Sequence, residues 1–259
     1  MKELEYDSFC YEGKVVPFQE ALDDREEDLL PMYDRDRLFC PECEEAILRF
    51  THATRCRRAF LSTKQEANNA SNRHAIDCSH GYDRATKKDI QEHYKSLTQN
   101  QIEDKLNAAV NRFLKPRRRE SRETRYAHLD NNPAIIRVVE GNNSKHFSIP
   151  TRSFSRFHSI WENEDAYGIP ILLYGIVRLR TEQQEKQVRG KTMMCNYLCV
   201  HNAETMRKIR CFNRFENEDI IDPDAVYYLA MIVLFGKTEK GGKYCNLYNQ
   251  RSVVFQRRN

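Results

Sequence analysis

Two cysteines separated by two residues, Cys40-Pro-Glu-Cys43, constrain this chain more than any other local feature. Thiolates at that spacing can turn back on a single tetrahedral ion. A second half-site follows at His74-Ala-Ile-Asp-Cys78, where imidazole and thiol stand at the x3 spacing of such pairs. The set Cys40, Cys43, His74 and Cys78 supplies three thiolates and one imidazole. It leaves no open coordination position, so the expected Zn2+ is structural and supplies folding energy rather than catalysis. His80, His52 and Cys56 are alternative ligands, His80 first among them. A redox Cys-x-x-Cys would need a thioredoxin-like βαβ setting, which the pattern lacks, and unrelated buried cysteines are the plain alternative. The residues around the first pair are mostly charged, so the metal is expected to replace a core that this stretch lacks.

The chain has 259 residues, enough for one large domain or two ordinary ones. Its 13 Tyr and 13 Phe argue against extended disorder, because they need somewhere to pack. The longest apolar stretch, 226–235, is well short of the roughly 18 residues of a membrane span. The start, MKELEYDSFC, is acidic and has no apolar h-region, which excludes a signal peptide. A cytoplasmic protein with no membrane partner is expected, and nine cysteines there mean thiols or metal rather than a disulfide scaffold. A net charge of +4 is too small to establish a nucleic-acid partner by itself. Its distribution is uneven: acidic residues crowd the first thirty positions, and basic ones collect at 55–58, at 115–125 and in the C-terminal third.

The organisation reads as α+β, in three parts. Residues 1–84 form the zinc-binding module. Residues 85–130 form a helical segment with a basic arm. There Thr86 and Asp89 resemble a capping box, apolar residues from Ile90 to Phe113 recur at helical spacing, Thr98-Gln-Asn breaks the run into two helices, and Pro116 stops the second. Residues 131–259 turn to strands, at 171–180, 193–200, 208–215, 226–237 and 244–255. Gly175 marks a bulge or bend, while Asn202, Asp222-Pro-Asp224 and Gly241-Gly242 supply turns. Five strands without helix alternation fit a Greek-key barrel of the oligonucleotide-binding type, with a generic barrel or half-sandwich as alternative.

Single-stranded DNA or RNA is held by aromatic platforms and by cations that follow phosphates. Candidates on the strands are Tyr174, Arg178, Arg180, Tyr197, Arg210, Phe212, Lys237 and Lys243, against the plain reading of core tyrosines and solvated cations. Arg117, Arg118 and Arg119 form a cationic arm whose binding would weaken with salt, or a solvated linker. Catalytic motifs are missing. Cys195 and Cys199 near His201 read as inert buried thiols, and Cys195, Cys199, His201 and Cys211 as a minor second metal candidate.

The order Tyr11-Glu-Gly-Lys-Val-Val-Pro-Phe-Gln-Glu-Ala21, then Leu38-Phe-Cys-Pro-Glu-Cys-Glu-Glu-Ala-Ile-Leu48, resembles the N-terminal zinc module of CoiA-like competence proteins. Ala59-Phe-Leu61, His74 and Cys78 continue that resemblance, which spans about the first eighty residues. It implies a bacterial or phage protein working around DNA, in uptake or antiviral defence. The family's nuclease domain has no counterpart, because no Asp…Glu-x-Lys cluster follows in order. The expectation is therefore a non-catalytic, zinc-containing nucleic-acid-binding protein. A protein–protein adaptor or inhibitor is the main alternative and a diverged nuclease the third.

Overall fold

A computed structural model describes residues 6, 8–23, 28–56, 58–64, 74–115, 129, 131–140, 143–154, 157, 167–188, 190–214, 221–239 and 241–258. These fall into two compact units, the described residues up to Asp83 together with Leu129 in the first, and those from Arg84 to 115 and from 131 onward in the second. Arg117, Arg118 and Arg119, Pro116 and Lys240 lie outside the described residues.

The first unit is built from antiparallel pairs of short strands. β1 (Ser8–Tyr11) pairs with β2 (Lys14–Pro17), β3 (Leu22–Asp23) with β4 (Asp28–Leu29), and β5 (Leu48–Thr51) with β6 (Phe60–Thr63). Two-stranded ribbons are marginal alone, so their inward faces must share a core. Phe9, Phe18, Leu38, Leu48, Phe50 and Leu61 do so, around the buried sulfurs of Cys40, Cys43 and Cys78. The expectation that this stretch lacks a core is thereby corrected. Its apolar residues are spread singly along charged sequence and converge only when the hairpins stack.

The second unit opens with α1 (Lys87–Ser96) and α2 (Gln99–Phe113). Each begins on a reciprocal capping box, Thr86 with Asp89 and Thr98 with Gln101, in which side chain and backbone satisfy each other's free amides. The hairpin β7 (Ile135–Glu140) and β8 (Asn143–Ser148) follows, one the sequence reading did not single out. Then come β9 (Thr151–Ser153), β10 (Pro170–Val188), β11 (Lys191–Asn202), β12 (Lys208–Arg214), β13 (Val226–Lys237), β14 (Lys243–Leu247) and β15 (Val253–Arg257). They form one sheet in the order β12-β11-β10-β13-β14, with β15 also on β13 and β9 parallel on β10. β10 serves two neighbours in succession. Its first half pairs with β13 and its second half with β11, where Gly190, at a φ of +78, makes the hairpin turn.

Side chains alternate across this sheet. Ile171, Leu173, Val177 and Leu179 of β10 join Leu198, Val200, Phe212, Leu229, Met231 and Val233 in one core. On the opposite face Leu172, Ala230 and Ile232 pack with Ile90, Tyr94, Ile102 and Leu106 of the helices. The helices are thus part of the sheet unit rather than a separate middle segment, because their apolar stripe needs the second face of β10 and β13 to be buried. Pairing stays in register through Gly175, which is small for another reason: a Cβ there would meet that of Phe154 at 3.0 Å. The final apolar run divides into β14 and β15 around a turn in which the Asn249 carbonyl accepts from the Ser252 hydroxyl at 2.6 Å.

Candidate metal centre and strand face

The first half-site is a turn held by the backbone. The amide of Cys40 donates to the Ala46 carbonyl at 2.8 Å and that of Glu44 to the Cys40 carbonyl at 2.9 Å, with Phe39 bridged to Ile47. This folds Cys40 and Cys43 back on one another. The second is a tight turn in which the Cys78 amide donates to Ala75 at 2.9 Å, returning the thiol towards His74. Gly81 lies against it, where a Cβ would stand 3.2 Å from that of His74.

The four side chains meet, with all ligand atoms within 4.8 Å of one another. The Cys40 and Cys78 sulfurs are 3.7 Å apart, and Nδ1 of His74 is 3.5 Å from Cys43 and 3.4 Å from Cys78. Around tetrahedral zinc, with bonds of about 2.3 Å to sulfur and 2.0–2.1 Å to nitrogen, two sulfurs stand roughly 3.8 Å apart and a sulfur and nitrogen roughly 3.6 Å. The donor set matches those edges. Burial and neighbouring sulfur push the Cys40 and Cys78 thiols up, while hydrogen bonds from Cys40 and Cys78 hold Cys43 well down. As thiolates beside a neutral imidazole, these groups could hold a cation such as zinc.

Four further groups hold the ligands, and none was legible as a site residue in the sequence. Nε2 of His74 lies 3.0 Å from the Tyr6 hydroxyl and 3.2 Å from that of Thr63, and these two hydroxyls are 2.8 Å apart. With Nδ1 facing the sulfurs, Nε2 is held by the two hydroxyls, which fix the ring. Glu42, buried between the first two cysteines, accepts from the amide of Ser79 at 3.0 Å and from its hydroxyl, which ties the first half-site to the residue after Cys78. His80 lies against the Tyr6 ring and 4.0 Å from Glu42, His52 stands 3.0 Å from Arg35, and Cys56 is exposed, so none of these three joins the cluster.

The nucleic-acid candidates divide by face. Arg180 is exposed on the outer face of β10, and Tyr197 is half-buried on the same face of β11, where its register partner is Glu182. Lys237 and Lys243 are exposed where β13 gives way to β14. Arg178 instead donates to the carbonyls of Ala203 and Asp224 at 3.2 and 2.6 Å and holds a turn in place. Tyr174 stacks on Phe113 of α2, with ring centres 4.7 Å apart, so a helix covers it. Phe212 is 1% exposed and packs in the core, which excludes it as a base platform. Arg210 pairs with Val200 on that same core-facing side, its charge beside Cys245. The physical reason is parity: Arg210 and Phe212 alternate with Cys211 and Asn213, whose register partners are Cys199 and Tyr197. The secondary cluster also differs from its expected membership. Glu182, Cys199 and Cys211 converge, while Cys195 and His201 stay outside the group. No helix of the described residues is long and apolar enough to cross a membrane. Compared with family models, curated proteins and solved structures, the chain gives no match.

Proposed function

We propose that this is a protein organised by one structural zinc ion that binds single-stranded nucleic acid on the outer face of its large sheet. The observation that carries the metal reading is the convergence of Cys40, Cys43, His74 and Cys78, with Nε2 of His74 held by the Tyr6 and Thr63 hydroxyls. A barrel of the oligonucleotide-binding type is supported by the strand order and by the long β10 shared between two neighbours, a partly open arrangement whose second and third strands present the ligand face. On that face Arg180 and Tyr197 are diagonal neighbours, a cation beside an aromatic ring; Lys237 and Lys243 pair with each other at the β13–β14 loop, on the opposite parity of the sheet. Stacking on Tyr197 and phosphate neutralisation by Arg180 would hold the strand without base readout. The resemblance of the first eighty residues to the CoiA-like module points this reading toward DNA processing or antiviral defence.

Anisotropy titrations of labelled single-stranded DNA and RNA against the zinc-loaded full chain test it. Affinity is expected to fall steeply with salt, and Arg180→Ala and Tyr197→Ala each to weaken binding, the latter by about 1–3 kcal/mol. No binding at low ionic strength would overturn the reading. A protein adaptor is favoured by one observation, the exposed Met193 and Met194 near the β10–β11 turn, at 52% and 57%. Host proteins retained after nuclease digestion, and lost on Met193→Ser with Met194→Ser, would support it.

A further inference from the structure

Cys199 and Cys211 are direct register partners on β11 and β12, and their sulfurs stand 3.0 Å apart. That is shorter than the roughly 3.8 Å edge two sulfurs share on a tetrahedral ion, and shorter than the 3.7 Å between Cys40 and Cys78. Antiparallel partners have Cα atoms about 4.5–5.5 Å apart, inside the 4.4–6.8 Å range that a disulfide spans. Glu182, the third member of the cluster, is engaged by the Lys208 ammonium at 2.8 Å, so the carboxylate already has its cation. We propose that Cys199 and Cys211 form an oxidisable dithiol that a peroxide converts to a cross-strand disulfide, stapling β11 to β12. This site stands apart from the zinc centre and does not rest on the nucleic-acid reading.

The two thiols have unequal roles. Cys211 is partly exposed and Cys199 is buried. The Lys208 ammonium is held beside the same cluster by Glu182. Burial pushes the Cys199 thiol up, so the accessible Cys211 sulfur is the one that meets the peroxide. The Cys211 thiolate attacks one peroxide oxygen, and the O–O bond breaks. Hydroxide leaves with the proton that the thiol gave up, and Cys211 becomes a sulfenic acid. The Cys199 sulfur then attacks the Cys211 sulfur. The S–O bond breaks, an S–S bond forms, and the departing hydroxide takes the Cys199 proton. Two thiols are oxidised by two electrons, and one hydrogen peroxide becomes two waters.

The test is a non-reducing tryptic map of the zinc-loaded full chain before and after equimolar hydrogen peroxide. Cleavage releases Cys211 in residues 211–214 and Cys199 in residues 192–207, which also hold Cys195. The expected result is a linked pair of these peptides, about 2 Da lighter than their sum, reversed by a thiol reductant. The link should be lost in Cys199→Ser and in Cys211→Ser but kept in Cys195→Ser, with zinc retained throughout. Three results would overturn it: oxidation of Cys211 to sulfinic or sulfonic acid with 192–207 unlinked, a link through Cys195, or a second bound zinc that disappears in Cys211→Ser. The wild-type map decides the matter even if a variant folds poorly.

Discussion

Tyr6 is not one of the four clustered ligands, yet its hydroxyl lies 3.0 Å from the far nitrogen of His74 and 2.8 Å from Thr63. Partners of this kind orient a ligand ring and raise its basicity, and their loss typically costs 10–100-fold in metal affinity. Tyr6→Phe should weaken zinc binding within that range in a competition titration against a chromophoric chelator, while leaving one site per chain. Unchanged affinity would show that packing alone positions the ring. The ligands themselves were legible because their spacing is local: two residues in one half-site, three in the other. Tyr6 and Thr63 were not, because they approach His74 from 68 and 11 residues away, through a hairpin pairing that no spacing encodes. Glu42 was hidden differently. A carboxylate in a charged stretch reads as solvated until Ser79 is seen donating to it.

At the scale of elements, both helix starts were open to reading or nearly so. Thr98→Ala removes the hydroxyl that accepts from the Gln101 amide and should cost about 1 kcal/mol in denaturant unfolding of the second unit. Between the helices, burial and the nearby Lys105 charge lower His93 to about 4 from an ordinary 6.5, so it is folded as the neutral base. The unfolded chain takes up its proton first as pH drops. The contribution is therefore full above pH 6.5 and is lost as pH falls from 6.5 towards 4. Protection factors of the α1 and α2 amides, corrected for the intrinsic pH dependence of exchange, should fall across that window, and His93→Gln should flatten the dependence. An unchanged fall in the variant would assign it elsewhere. The strands from residue 171 onward were legible as strands and β7–β9 were not; the core face of β10 was read correctly, but that of β12 was not, since it depends on register. β12 shows this most clearly. Phe212→Ala is expected to cost about 3–5 kcal/mol of stability as a core truncation, whereas a surface platform would have shown little loss in a melt.

On the scale of the whole chain, the boundary near residue 84 was visible as a change from cysteine-rich irregular sequence to helical period. The place of the helices was not, because an amphipathic stripe says that a partner exists without saying which. The sheet supplies that partner through Leu172, Ala230 and Ile232. The first unit has a modest apolar cluster, and its four ligands, on turns separated by residues 44–73, could hold a metal that would join those turns. Its pH response follows from the ligands. Protons compete for three thiolates and an imidazole, so zinc should be released as pH falls and retained at neutral pH. That loss should be read together with the compactness of residues 6–83, by limited proteolysis with and without a strong chelator.

The most direct test of a zinc-organised first unit is elemental analysis of the natively purified full chain. The four-ligand centre predicts one zinc per chain, and none in Cys78→Ser. Native protein with no bound transition metal, or a Cys78→Ser variant that keeps its zinc, would contradict it.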